Sequence, residues 1–201
     1  DISTLTEEEI NNYIHAAGHK RIDVLISCAP CTGFSRTIRK NLVGNNSKNS
    51  LIGKSADFVE ILQPSVFIME NVPELLHGKF TNHYDELNSR LKALGYKIDA
   101  SVHSLDKFGL PQKRRRSLII ATKPDFNIHN LEELWSGYMI HEDATTVRRA
   151  IGHLPHLQAG EQHPEDPWHV SPGFSDIGLK RLSLIPEDGG SWTDLIGHPD
   201  S

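Results

Sequence analysis

Short unbroken apolar runs alternate with stretches of helical periodicity over the first 125 residues. Asp23-Val24-Leu25-Ile26 reads as a strand suited to the middle of a parallel sheet, because both of its faces are apolar. A second run, Val66-Phe67-Ile68-Met69, follows Gln63-Pro64, which stops the helix before it. A third is Ser117-Leu118-Ile119-Ile120-Ala121, and residues 98–105 alternate as a strand with one wetter face. Between these runs, Thr6-Glu7-Glu8-Glu9 has the capping-box spacing that opens a helix through about His15. Ala56, Val59 and Leu62 share one helical face, and Tyr84, Leu87, Leu91 and Leu94 form an amphipathic helix ended by Gly95. The pattern predicts an α/β domain over residues 1–125.

From residue 126 the texture changes, with few long apolar runs. All three Trp lie beyond Thr122, as do seven of the eleven Pro, which predicts a second, irregular region over 126–201. Residues 36–50, rich in Asn, Ser, Gly and Lys, carry no core-facing periodicity and read as a mobile loop. There is no internal repeat.

Composition narrows the classes. At 201 residues the chain can bury a real core, as one domain or one domain plus part of another. No apolar run is long enough to span a membrane and no charged-then-apolar leader opens the chain, so neither an anchor nor a secretion signal is expected. Two cysteines separated by two residues make no disulfide framework, which points to a reducing compartment. The net charge of -5 argues against a polyanion binder that uses its whole surface. A local basic face remains open, because Arg36, Arg39, Lys40, Lys48 and Lys54 gather in one stretch and Lys113, Arg114, Arg115 and Arg116 in another.

Candidate chemistry falls at the ends of the predicted strands, where open α/β sheets collect their ligands. The first apolar run closes on Ser27-Cys28-Ala29-Pro30-Cys31-Thr32-Gly33-Phe34-Ser35. Pro30 fixes its own φ and Gly33 lets the chain fold back, so Cys31 can be held facing a pocket as a nucleophile, although a lone Cys near a strand end is more often a small buried hydrophobe. The second run delivers Glu70-Asn71-Val72-Pro73 to the same sheet edge, where a carboxyl beside an apolar wall can act as an acid. Without Cys31 upstream, a helix cap or an ion pair would be the commoner role for such a Glu. Gln112-Lys113-Arg114-Arg115-Arg116 precedes the third run, and alternation on entry to a strand sends Arg114 and Arg116 to one face, toward the pocket. Histidines such as His153, His156, His163 and His169 have no recognised ligand spacing, and no metal is expected.

These three segments resemble the signatures of the DNA cytosine-5 methyltransferases. Ala29-Pro30-Cys31-Thr32-Gly33-Phe34-Ser35 is similar to that family's Pro-Pro-Cys-Gln-Gly-Phe-Ser, with Ala29 and Thr32 as departures. Glu70-Asn71-Val72 follows in order, then Gln112, Arg114 and Arg116 after Phe108-Gly109 and Pro111, with Asp1-Ile2 matching a pair beside the cofactor adenine. Residues 146–192 look like the entry into the family's target-recognition region. The resemblance implies a partial Rossmann-like S-adenosylmethionine-dependent methyltransferase sheet, followed by the start of a small irregular target-recognition domain. It implies further strands and motifs before Asp1 and after Ser201. S-adenosylmethionine is the implied cofactor, with Asp1, Ile2, Pro30 and Leu51 against it, and double-stranded DNA the implied partner, met by Ser35, Arg36, Arg39, Lys40 and Gln112. Cys31 would attack carbon 6 of a flipped cytosine, Glu70 would engage ring nitrogen 3 and Arg114 would hold the carbonyl oxygen, while Arg116 supports Glu70 and Asn71 orients the Cys31 loop. The implied setting is DNA modification in the cytoplasm of a bacterium or phage host, or in a eukaryotic nucleus. Three other readings stay open: a transfer-RNA methyltransferase, whose Cys-Phe-Thr signature is not found; a non-catalytic DNA-binding remnant; and a dithiol oxidoreductase using Cys28-Ala29-Pro30-Cys31, which leaves Glu70 and Arg114 unexplained.

Overall fold

The computed structural model describes residues 2–19, 21–30, 50–78, 80–126, 146–187 and 189–199. Four strands, β1 (Val24–Ser27), β2 (Val66–Asn71), β3 (Lys97–Ser104) and β4 (Arg115–Thr122), form one sheet in the order β1-β2-β4-β3. β1 runs parallel to β2, and β4 runs antiparallel to both β2 and β3. The sheet is therefore mixed. The link from β3 to β4, residues 105–114, is too short for the crossover that a parallel pair needs, so β4 returns antiparallel.

Helix α1 (Glu7–Ala16) opens on the expected capping box, with the Thr6 hydroxyl accepting from Glu9 N and the Glu9 carboxylate accepting from Thr6 N. Helices α2 (Ser50–Leu62) and α3 (Thr81–Ala93) cover one face of the sheet. Ile52, Ala56 and Val59 of α2 and Leu87 and Leu91 of α3 are fully buried there with Phe67, Met69, Ile119 and Ala121 from the central strands. Arg90 on α3 ties the two helices together, donating from Nε to Glu60 at 2.8 Å, from Nη2 to Asp57 at 2.7 Å and from Nη1 to the Gly53 carbonyl at 3.0 Å. The Tyr96 hydroxyl donates to the Pro64 carbonyl at 2.5 Å, joining the end of α3 to the start of β2.

The structure corrects one placement. β1 lies at the edge of the described sheet rather than in its middle, with Leu25 facing the core and Val24 and Ile26 50% and 66% exposed. An unbroken apolar run cannot distinguish a central strand from an edge strand, because strand order is set by pairing with distant segments.

The described chain divides into two compact units, residues 1–150 and 151–201. In the second, Gln162 and Val170 form an antiparallel bridge, and α5 (Asp176–Ser183) is capped by the Ser175 hydroxyl accepting from Gly178 N. A short helix α4 (Val147–Ile151) precedes it, and a 3-10 turn at Trp192–Leu195 follows.

Candidate active site

Because β1 and β2 run parallel with Ser27 opposite Met69, residues 28–30 and the Glu70-Asn71 pair emerge at one edge of the sheet. β4 enters at that same edge, with Ser117 opposite Asn71 and Leu118 opposite Glu70. Arg116 therefore stands beside the end of β2, and its Nε lies 2.6 Å from Glu70 Oε1. The Arg116 side chain is only 17% exposed, and its Nη1 also donates to the Arg115 carbonyl at 2.8 Å. An arginine fixed at two atoms holds a carboxylate with more directional control than a lysine would.

Asn71 is 2% exposed and fully engaged. Its Nδ2 donates to the Ala29 carbonyl at 3.1 Å and its Oδ1 accepts from Val72 N at 2.9 Å. Buried Ser117 donates to the Val72 carbonyl at 3.0 Å, so three strand ends are tied across one edge. The Ala29 contact lies two residues before Cys31.

The basic segment is arranged less uniformly. Leu105 N donates to the Arg114 carbonyl at 2.9 Å, closing the base of the loop, and Arg114 N donates to the Gln112 carbonyl at 2.8 Å. Gln112 and Arg114 are exposed, and neither side chain has an ion pair or hydrogen bond among the described residues. Arg116 is brought to Glu70; Arg114 and Gln112 face solvent just before β4 begins.

Beyond the end of β1 lies a cavity of about 230 Å³ lined mainly by apolar groups, including Ile2, Leu25, Pro30, Leu51 and Phe58. Ile2, Pro30 and Leu51, singled out in sequence, thus meet at one place. Lys54, Ser55 and Phe58 complete the wall and were missed. A signal existed: Leu51, Lys54, Ser55 and Phe58 follow the 3-4-7 spacing of one helix face, beside the more apolar stripe that faces the core. Ser55 Oγ lies 2.8 Å from Ser27 Oγ, which fixes this face of α2 against β1. An apolar, partly open cleft at strand ends fits the flat ring system of a nucleoside cofactor, and its volume falls below the roughly 300 Å³ at which ligand pockets usually begin. The described residues build one side of such a pocket.

Cys28 is exposed past the end of β1 and lines this cavity, rather than lying in the strand. Strand β1 stops at Ser27, and Pro30, without an N–H, cannot extend the ladder. Asp1, Cys31, Ser35, Arg36, Arg39 and Lys40 lie outside the described residues. Among those described, no cluster of His, Cys, Asp and Glu has metal-binding geometry, and the rings of His163 and His169 stack on one another at 5.6 Å.

An α/β sheet that gathers a carboxylate–arginine pair and a buried Asn clamp at one edge, beside an apolar cleft, has the arrangement in which open α/β sheets place their ligand sites. Comparison with known proteins makes this specific. The chain belongs to the C-5 cytosine-specific DNA methylase family, whose family model matches residues 1–174. It is 32% identical over 196 residues to the Type II methyltransferase M1.HphI of Haemophilus parahaemolyticus, covering 97% of this chain and 50% of that protein. It is 29% identical over 194 residues to the Type II methylase M.HgiDII of Herpetosiphon aurantiacus, covering 96% of this chain and 51% of that one. The chain thus spans about half the length of these curated relatives. Among solved structures, a DNA modification methyltransferase encoded within an E. coli prophage superposes with a TM-score of 0.64 at 25% identity, over 98% of this chain and 53% of that one. The S. pombe Dnmt2 methyltransferase shares the fold, with a TM-score of 0.56 at 18% identity over 80% of this chain and 46% of that one.

Proposed function

We propose that this chain carries the catalytic centre of an enzyme that methylates carbon 5 of cytosine in double-stranded DNA, in the manner of the Type II modification enzymes it is similar to. The observation that carries this reading is the Glu70–Arg116 pair, set at the strand edge where Asn71 grips Ala29, two residues from Cys31. Carbon 5 of cytosine is a poor nucleophile until a group adds across the ring. The Cys31 thiolate adds to carbon 6 while the Glu70 carboxyl, held by Arg116 through Oε1, gives a proton from Oε2 to ring nitrogen 3, which takes up the charge the addition sends into the ring. The electron pair so released makes carbon 5 nucleophilic. S-adenosylmethionine in the cleft lined by Ile2, Pro30, Leu51 and Phe58 would supply an activated methyl group on a sulfonium. After methylation, loss of the carbon 5 proton to a base drives out the Cys31 sulfur and restores the aromatic ring.

To reach this site the cytosine leaves the duplex, at a cost of a few kcal/mol. Contacts from Arg36, Arg39 and Lys40 to phosphates offset that cost, Ser35 and Gln112 line the extruded base, and Arg114 meets its carbonyl oxygen. The side chain of Arg114, exposed and without an ion pair among the described residues, supports this assignment. The test is bisulfite sequencing of DNA from cells expressing the complete reading frame. Cytosines protected at one recurring sequence are expected, and a conversion pattern unchanged by expression would sink the proposal.

A further inference from the structure

We infer that His103 is a positioning residue that holds Arg116 against Glu70, an inference that rests on the methyltransferase reading of the Glu70 site. In the β3–β4 ladder His103 is the direct partner of Arg116, so the two side chains stand side by side on one face of the sheet. The next row along that face holds Ser101, Leu118 and Glu70, paired in turn across β3, β4 and β2. To reach Glu70, the Arg116 guanidinium must lean diagonally from its own row toward β2. Leaning the other way, toward β3, would take it off the carboxylate.

The imidazole occupies that other side. It is 8% exposed, its Nε2 lies 2.7 Å from Ser101 Oγ, and its ring packs on Phe108 at 5.8 Å between centroids. A buried polar ring is costly without a partner; the Ser101 bond gives its Nε2 one and, with the Phe108 ring, restrains its orientation. The ring is thus a wall of fixed orientation at the flank of Arg116. An aliphatic side chain of similar size would fill the volume without the bond that holds the wall in place.

The experiment compares His103→Leu, His103→Gln and Ser101→Ala with the wild type in the complete enzyme. Single-turnover methyl transfer, DNA affinity, cofactor affinity and melting temperature are measured for each. His103→Leu is expected to slow transfer by about tenfold to a hundredfold, the range for a small misplacement of a reacting group, while both affinities hold. Gln, whose amide can still bond Ser101, is expected to recover most of the rate, and Ser101→Ala to lose part of it. Transfer at the wild-type rate in His103→Leu overturns the inference. So does a loss of rate that Gln does not recover and that tracks a fall in melting temperature, since the ring would then be only a core residue. Should His103→Leu fail to fold, Ser101→Ala decides: it keeps the ring and removes only the bond, and a wild-type rate there overturns the inference. A wild-type enzyme that methylates no cytosine would sink the underlying reading instead, a result visible before any variant is compared.

Discussion

Arg116 Nε lies 2.6 Å from Glu70 Oε1, joining the second residue of β4 to the end of the strand that carries the carboxylate. The two residues are 46 apart in sequence and meet because β2 and β4 run antiparallel in a register that places Ser117 opposite Asn71. With one oxygen engaged, the carboxylate has a defined orientation. Its second oxygen has no partner among the described residues and is free to meet a base.

Glu70→Gln keeps the shape of the side chain and a donor but cannot pass a proton to ring nitrogen 3. Single-turnover methyl transfer should fall by about 10²–10⁴, the usual cost of losing a positioned acid or base. DNA affinity rests mainly on phosphate contacts and should change little at fixed salt. Near-normal transfer would take Glu70 out of the mechanism.

The two thiols should separate cleanly. With cofactor and DNA containing 5-fluorocytosine, where fluorine replaces the carbon 5 proton and cannot be abstracted by a base, the enzyme should form an adduct that survives denaturation. Cys31→Ser should abolish it and Cys28→Ser, altering only an exposed group at the cleft, should not. Trapping by Cys31→Ser but not by Cys28→Ser would reopen the assignment.

Asn71→Asp tests the clamp that Asn71 makes on Ala29. The change keeps an acceptor for Val72 N but turns an oxygen toward the Ala29 carbonyl in place of the Nδ2 donor. A buried acceptor facing another acceptor costs about 1–3 kcal/mol. Melting temperature and transfer rate should both fall, with the rate falling further than in an Asn71→Ser control of equal stability. Equal rates at equal stability would make Asn71 structural only.

The Arg90 clamp should show itself in the pH dependence of stability. The hydrogen bond from Arg90 holds the Glu60 carboxyl below its usual range. A carboxylate depressed in the folded state contributes its stability above the unfolded value of about 4.3 and loses it as pH falls through the folded value. All three side chains are partly exposed, so each pair is worth no more than about 1 kcal/mol. The melting-temperature gap between wild type and Arg90→Met should therefore be widest near neutral pH and close below about pH 4. A gap that stays constant down to that pH would show that Arg90 acts through its packing alone.

The strands, the helices and the placing of the Glu70 and Arg116 segments at strand ends were legible because each depends on local rules. Capping at Thr6, the apolar run at Val66, and the helical stripe of Ala56 and Val59 report which face is buried, whatever the rest of the chain does. The Glu-Asn-Val and Gln-x-Arg-x-Arg segments could likewise be placed at strand ends, since a run of apolar residues announces where a strand begins and stops. What lay on the second face of α2 was harder to see: Lys54 and Phe58 look like ordinary helix residues until Ser55 meets Ser27 across the cleft.

By itself, then, the sequence determined the elements of this protein, its candidate acid, its basic segment and its resemblance to a family. Only the tertiary structure decided that β1 stands at the edge of the described sheet, that Arg116 reaches Glu70 Oε1 through Nε, that Asn71 reaches Ala29, and that His103 flanks the pair. The reason is physical. Which side chain meets which depends on strand order and register, and these follow from the summed packing of residues far apart in the chain, so that a slip of one position would turn every one of these groups to the other face.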